Sequence, residues 1–246
     1  MNLPSAIRAC LFDLDGVLTD TASLHAAAWK EMFDTFLRKR AADAGAHFVP
    51  FDPGHDYRDY IDGKQRYDGV RSFLASRGIT LPEGSPGDPA DAVTVASLGD
   101  HKNELVQAMI HSRGVQPYEG SVRFVHAVRD AGLRRAVVSA SANCRQVLEA
   151  AGIADLFEAR VDGIVAEQEH LRGKPAPDMF LAGARMLGVA PAEAAVFEDA
   201  LAGVAAGRAG DFGLVVGVDR VGQAEALREH GADIVVTDLA ELLSPA

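Results

Sequence analysis

Four apolar residues that end in a pair of acids, Ala9-Cys10-Leu11-Phe12-Asp13-Leu14-Asp15-Gly16, constrain this chain more than any other stretch. The run reads as a buried strand whose carboxyl end carries chemistry. Four later segments have the same character: Arg135-Ala136-Val137-Val138-Ser139, Ala194-Ala195-Val196-Phe197-Glu198, residues 212–218 and residues 232–236. Helical patterns separate them, at roughly 121–131, 143–151, 177–188, 200–208 and 221–230. Alternation of this kind predicts an α/β fold, a Rossmann-like doubly wound parallel sheet with helices on both faces.

The alternation fails between residues 22 and 115. Residues 22–40 read as one long helix, with Leu24, Ala28, Met32 and Phe36 at helical spacing. Residues 65–77 and 99–113 also read as helices. Residues 41–57, with Pro50, Pro53 and Gly54, and the stretch Leu81-Pro82-Glu83-Gly84-Ser85-Pro86-Gly87-Asp88-Pro89 read as loops. This predicts a helical domain over 21–115, inserted after the first strand of a core formed by 1–20 and 116–246.

Composition limits the partners. A formal net charge of -11 argues against nucleic-acid and anionic-membrane binding. It leaves room for anionic substrates where lysine, arginine and metal gather in one cleft. The amino terminus lacks the basic region and apolar core of a signal peptide, and charges interrupt every long apolar stretch. The two cysteines, Cys10 and Cys144, form no disulfide framework or zinc spacing. The expectation is a soluble cytoplasmic protein, a monomer, with Cys10 as a small buried hydrophobe.

Ligands of parallel sheets bind beyond the carboxyl ends of the strands. Those ends and one loop carry residues of complementary kinds: Asp13 and Asp15, then Ser139-Ala140-Ser141-Ala142-Asn143, then Gly173-Lys174-Pro175, then Glu198-Asp199. A free aspartate titrates near about 3.9, so Asp13 is ionised at neutral pH and can attack phosphorus. An anion attacking a phosphate meets repulsion, which magnesium offsets while binding carboxylate oxygens. Asp13, Glu198 and Asp199 are the candidate ligands. Lys174 adds fixed positive charge, and Ser139 and nearby N–H groups can hold the phosphoryl oxygens. If the chain leaves the sheet at Gly16, Asp15 can face the substrate as general acid and base.

This constellation resembles the haloacid dehalogenase superfamily. Asp13-Leu14-Asp15-Gly16-Val17-Leu18-Thr19-Asp20 is similar to its first signature, and Ser139, Lys174 and Glu198-Asp199 to the other three. The likeness spans about residues 7–220. With Thr21, Ala22, His25, Trp29 and Gly173-Lys174-Pro175-Ala176-Pro177-Asp178-Met179-Phe180, the chain looks most like the β-phosphoglucomutase group. The resemblance implies Asp13 as nucleophile and Asp15 as acid and base, supported by Thr21 and His25. It implies that Ser139, Ala140, Ser141, Asn143 and Lys174 contact the transferring phosphate. Magnesium would rest on Asp13, Glu198, Asp199 and the main-chain carbonyl of Asp15. In the inserted domain, Gly63 and Arg66 resemble a loop that holds the substrate's second phosphate, and Lys102-Asn103 resembles a sugar contact. Asp62 stands where that group is expected to have a lysine.

The implied activity is a mutase that interconverts β-glucose 1-phosphate and glucose 6-phosphate through an aspartyl-phosphate and a sugar bisphosphate. A sugar-phosphate phosphatase with water as acceptor is the alternative. A non-catalytic binding module is a third reading, opposed by the complete set of catalytic positions. Metal-independent dehalogenation has no use for Asp15 or the Glu198-Asp199 pair.

Overall fold

The computed structural model describes residues 2–89 and 91–243, which separate into two compact units. The first comprises the chain up to Thr21, Gly63–Gln65, and the chain from Val115 onward. The second comprises Ala22–Asp62 and Arg66–Gly114.

The first unit is built on a parallel sheet of β1 (Ala9–Phe12), β2 (Arg134–Val138), β3 (Ala159–Val161), β4 (Ala194–Glu198), β5 (Leu214–Val218) and β6 (Ile234–Val236). The strand order is β3-β2-β1-β4-β5-β6, the doubly wound order expected of a Rossmann-like sheet. β1 is central, with Leu11 opposite Ala136 on one side and Val196 on the other. Adjacent residues of a strand point to opposite faces. Leu11 therefore packs with Val138, Val196 and the apolar residues of α7 (Asp178–Leu187) and α8 (Leu201–Ala209). Phe12 faces the other way, stacked on Phe197 at 4.7 Å and edge-on to Phe124 of α4 (Glu119–Asp130) at 6.2 Å. Each fully buried phenylalanine or leucine contributes roughly 1.5–3 kcal/mol. Two further helices, α5 (Cys144–Ala150) and α6 (Gly163–Gln168), follow β2 and β3, and α9 (Ala224–Glu229) lies between β5 and β6.

Sequence patterns led to five strands, and β3 is the sixth. It has three residues, the middle one Arg160, so it shows no apolar run. Asp162 then caps α6 by accepting from the amides of Ile164 and Val165.

The second unit consists of α1 (Ala22–Ala44), α2 (Arg66–Ser76), α3 (Val95–Arg113) and a π-helical turn over Tyr57–Ile61. Its core is aromatic: Phe33 lies 4.2 Å from Phe73 and 5.3 Å from Trp29, centroid to centroid. The first helix runs beyond the expected residue 40, through Ala41, Ala42 and Ala44, all good helix formers. The loop that follows is pinned. Phe51 is buried, donates its amide to Asp34 Oδ1 at 2.8 Å, and accepts from Lys30 Nζ at 2.9 Å. Thr94 and Ser97 form a reciprocal capping box at the start of α3. Among the described residues, no helix is long and apolar enough to cross a membrane.

Cys10 and Cys144 are fully buried free thiols. Burial, the largest influence on each, pushes both thiols up from the ordinary range. Only the thiolate is nucleophilic. The native chain is expected to show no reaction with an aromatic disulfide reagent at pH 8, and two thiols after unfolding in guanidinium. Stoichiometric labelling of the native chain at a rate like that of free cysteine would contradict this burial.

Candidate active site

The direction of strand order reverses between β1 and β4, where ligands of open α/β sheets bind. Asp13 directly follows β1, and its amide donates to Phe197 O of β4 at 2.9 Å. Glu198 ends β4 and is completely buried. Lys174 comes from the loop before α7 and is also buried. Its ammonium donates to Asp13 Oδ1 at 2.6 Å, to Val138 O at 3.3 Å, and to Glu198 Oε1. Burial alone would depress this ammonium, but the charges of Asp13 and Glu198 outweigh it and hold Lys174 protonated. Burial raises Glu198, Lys174 pulls it down and Asp13 pushes it up, and the balance leaves it at about 7.

Asp13, Glu198 and Asp199 each offer a carboxylate oxygen within 4.8 Å of the others. Three buried acids beside one lysine leave negative charge that a low-dielectric site tolerates poorly. A set of hard oxygen donors with excess negative charge fits a divalent cation. Two glycines admit these carboxylates. Gly16 has φ +86°, and a Cβ there would come within 1.8 Å of Asp199 Oδ2. A Cβ on Gly203 would come within 1.8 Å of Glu198 Oε1. Gly203, on α8, thus packs directly against the Glu198 carboxylate. Glu198 Oε2 also accepts from the amide of Ala200 at 2.9 Å, just before α8.

Asp15 lies outside that carboxylate cluster. Its Oδ1 accepts from Thr21 Oγ1, which in turn lies 2.8 Å from Thr19 Oγ1. Ser139 and Ser141 shape the loop after β2, accepting from the amides of Ser141 and Asn143 at 3.1 Å each. Ala140 lies between them, its carbonyl close to Gly163. Asn143 is buried directly before α5.

Gly63 belongs to the first unit, its α-carbon facing the methyl of Ala200. His25, Arg66 and Lys102 belong to the second. There, Lys102 Nζ lies 3.1 Å from His25 Nδ1 and 4.8 Å above the ring of Trp29. Burial first, and then the charge of Lys102, lower His25 well below its ordinary range. His25 is therefore neutral and accepts from the lysine. Arg66 Nη2 bonds to Asp100 Oδ1 at 3.1 Å and to Tyr67 Oη at 2.9 Å. Tyr67 and Asp100 were not singled out from the sequence, because each is an unremarkable polar residue on a helix.

The profile of the haloacid dehalogenase-like hydrolase family matches residues 7–211. The chain belongs to this family, in its β-phosphoglucomutase-like group. A β-phosphoglucomutase of Mycobacterium tuberculosis (strain CDC 1551 / Oshkosh) is 59% identical over 246 residues, covering 99% of this chain and 94% of that protein. The β-phosphoglucomutase of Bacillus subtilis (strain 168) is 30% identical over 237 residues, covering 96% and 92%. The crystal structure of β-phosphoglucomutase from Clostridium difficile superposes with a TM-score of 0.74 at 27% identity, covering 96% and 93%. Family membership implies a divalent metal, and the buried acid cluster suits one.

One strand end of this haloacid dehalogenase-like core escaped sequence reading. β5 is followed by Asp219 and Arg220, an apolar run ending in an acid as β1 is. Arg220 donates to Gly16 O at 2.8 Å, and Gln223 to Asp199 O at 3.0 Å.

Proposed function

We propose that the chain is a magnesium-dependent β-phosphoglucomutase. It interconverts β-glucose 1-phosphate and glucose 6-phosphate through β-glucose 1,6-bisphosphate. The observation that carries the reading is the 59% identity with a β-phosphoglucomutase over essentially the whole chain, including residues 22–114.

Asp13 attacks phosphorus through a carboxylate oxygen, and the bond from phosphorus to the sugar oxygen breaks. Asp15, oriented by Thr21, delivers a proton to the departing oxygen. In the reverse sense, Asp15 removes the proton from the sugar hydroxyl that takes the phosphoryl group from Asp13. Phosphorylated Asp13 thus converts β-glucose 1-phosphate into the bisphosphate, then recovers a phosphoryl group from the 1-position and releases glucose 6-phosphate. Magnesium, held by Asp13, Glu198, Asp199 and the main-chain carbonyl of Asp15, supplies charge that offsets the repulsion between carboxylate and phosphate. Lys174 fixes the orientation of Asp13 and contributes positive charge beside it. Ser139, Ala140, Ser141 and Asn143 border the phosphoryl group. Gly63, Arg66 and Lys102 contact the rest of the substrate, with Arg66 exchanging Asp100 for the second phosphate. His25, neutral and bonded to Lys102, keeps that ammonium oriented. The enzyme works as a cytoplasmic monomer on a small phosphorylated sugar.

Incubation with magnesium, β-glucose 1-phosphate and a trace of the bisphosphate is expected to yield glucose 6-phosphate without net release of inorganic phosphate. Stoichiometric phosphate release without glucose 6-phosphate would replace the mutase with a phosphatase. Chelation should abolish turnover. It should also remove the metal's contribution to stability, about 2.7 kcal/mol at a hundredfold excess over Kd, read from thermal melts with and without chelator.

A further inference from the structure

The loop after β5 reaches back to the catalytic strand ends. Asp219 Oδ1 accepts from the amides of Val221, Gly222 and Gln223 at 3.2, 2.7 and 2.8 Å, which fixes the loop's own shape. Two of its side chains then cross to the site. Arg220 Nε donates to Gly16 O at 2.8 Å, and Gln223 Nε2 donates to Asp199 O at 3.0 Å. Gly16 and Asp199 are the residues that touch where a Cβ would not fit. The loop therefore grips both partners of that contact through their main-chain carbonyls.

Arg220 is held firmly enough to transmit position. Its guanidinium centre lies 3.8 Å above the ring of Tyr118, and Nη1 donates to Thr237 O at 2.8 Å. Tyr118 is tied to the same stretch of chain: its amide donates to Leu18 O at 2.9 Å and its hydroxyl to Asp20 Oδ1 at 3.2 Å. Residues 16–20 are thus held by Arg220 at one end and by its stacking partner at the other. Asp15 sits between two restraints, Thr21 on its carboxylate and Arg220 on the carbonyl of the next residue. An arginine that served only to anchor a surface loop would need neither the stack nor the bond to Gly16.

We propose that Arg220 is a positioning residue that holds the Asp15–Gly16 turn in register for proton transfer to and from the sugar oxygen. The proposal rests on the reading of Asp15 as acid and base. Its signature is dependence on the leaving group. A sugar oxygen needs a proton as it departs, whereas p-nitrophenolate leaves as an anion.

Wild type, Arg220→Gln and Arg220→Lys are compared, as full chains with magnesium, on β-glucose 1-phosphate with a trace of the bisphosphate and on p-nitrophenyl phosphate. Arg220→Gln should lower kcat on the sugar phosphate about tenfold with KM within about twofold, a part of the roughly 10²–10⁴ that acid–base catalysis supplies. The first-turnover burst of p-nitrophenolate should stay within about twofold of wild type, since the attack by Asp13 then needs no proton from Asp15. Arg220→Lys keeps the charge and most of the reach, so it should show the same selectivity with a smaller loss and guards against a Gln variant that fails to fold. Equal losses on both substrates, or sugar turnover within about twofold of wild type, overturn the proposal. If wild type converts no sugar phosphate, the mutase reading fails instead, and the same comparison is made with a simple alkyl phosphate.

Discussion

Asp13→Asn is expected to lose phosphoryl transfer by a factor on the order of 10⁴–10⁶, the scale seen when an enzyme's nucleophile is removed. The substitution keeps the shape of the side chain and its capacity to accept from Lys174 Nζ, now 2.6 Å away. It removes the anionic oxygen that must bond to phosphorus. Every route through the proposed cycle begins or ends at that oxygen, so no other residue can carry the step. Intact-mass measurement after incubation with substrate should show one added phosphoryl group on wild type and none on the variant. A phosphoryl group on Asp13→Asn, or turnover above about 1% of wild type, would move the nucleophile elsewhere.

The second large effect is on folding. Lys174 bonds to both Asp13 and Glu198, and all three are buried. Lys174→Met keeps the length and removes the charge. Breaking a buried ion pair in this way typically costs about 3–5 kcal/mol, because it strands the partner charges. The loss should depend on pH. The folded Glu198 carboxyl is raised to about 7 from an ordinary 4.5, so its contribution is full below 4.5 and lost as pH rises through about 7. Without Lys174, which pulls it down, Glu198 titrates higher still. In urea unfolding with chelator present, the deficit of the variant should therefore be larger at pH 8 than at pH 6. Equal deficits at the two pH values, or a deficit under about 1 kcal/mol, would show that the lysine is not compensating buried charge.

Much of this was legible in the sequence because the chemistry sits where apolar strands stop. Asp13, Ser139 and Glu198 each follow or end such a run, and the segments 9–12, 135–139 and 194–198 needed only periodicity to be found. The short edge strand β3 was not found, since Arg160 interrupts its three residues. The roles of Gly16 and Gly203 were only half visible. A glycine announces a turn or a close approach, but nothing local names the carboxylate that approaches. Arg220 was invisible for a related reason. Its partner Gly16 lies 204 residues earlier in the chain, and only the β1-β4-β5 order brings them together. The bond between Arg66 and Asp100 likewise depends on how α2 and α3 pack, which a helical pattern alone does not specify.

The lysine beside the nucleophile has one more consequence. An ammonium has three N–H donors, and those of Lys174 are spent on Asp13, Glu198 and the carbonyl of Val138. The resting site is thus an internal salt that carries its own counter-ions. A substrate phosphate that engages Lys174 does so by exchange, displacing one of three oxygens already in place, of which the Val138 carbonyl, at 3.3 Å, is held at the longer distance.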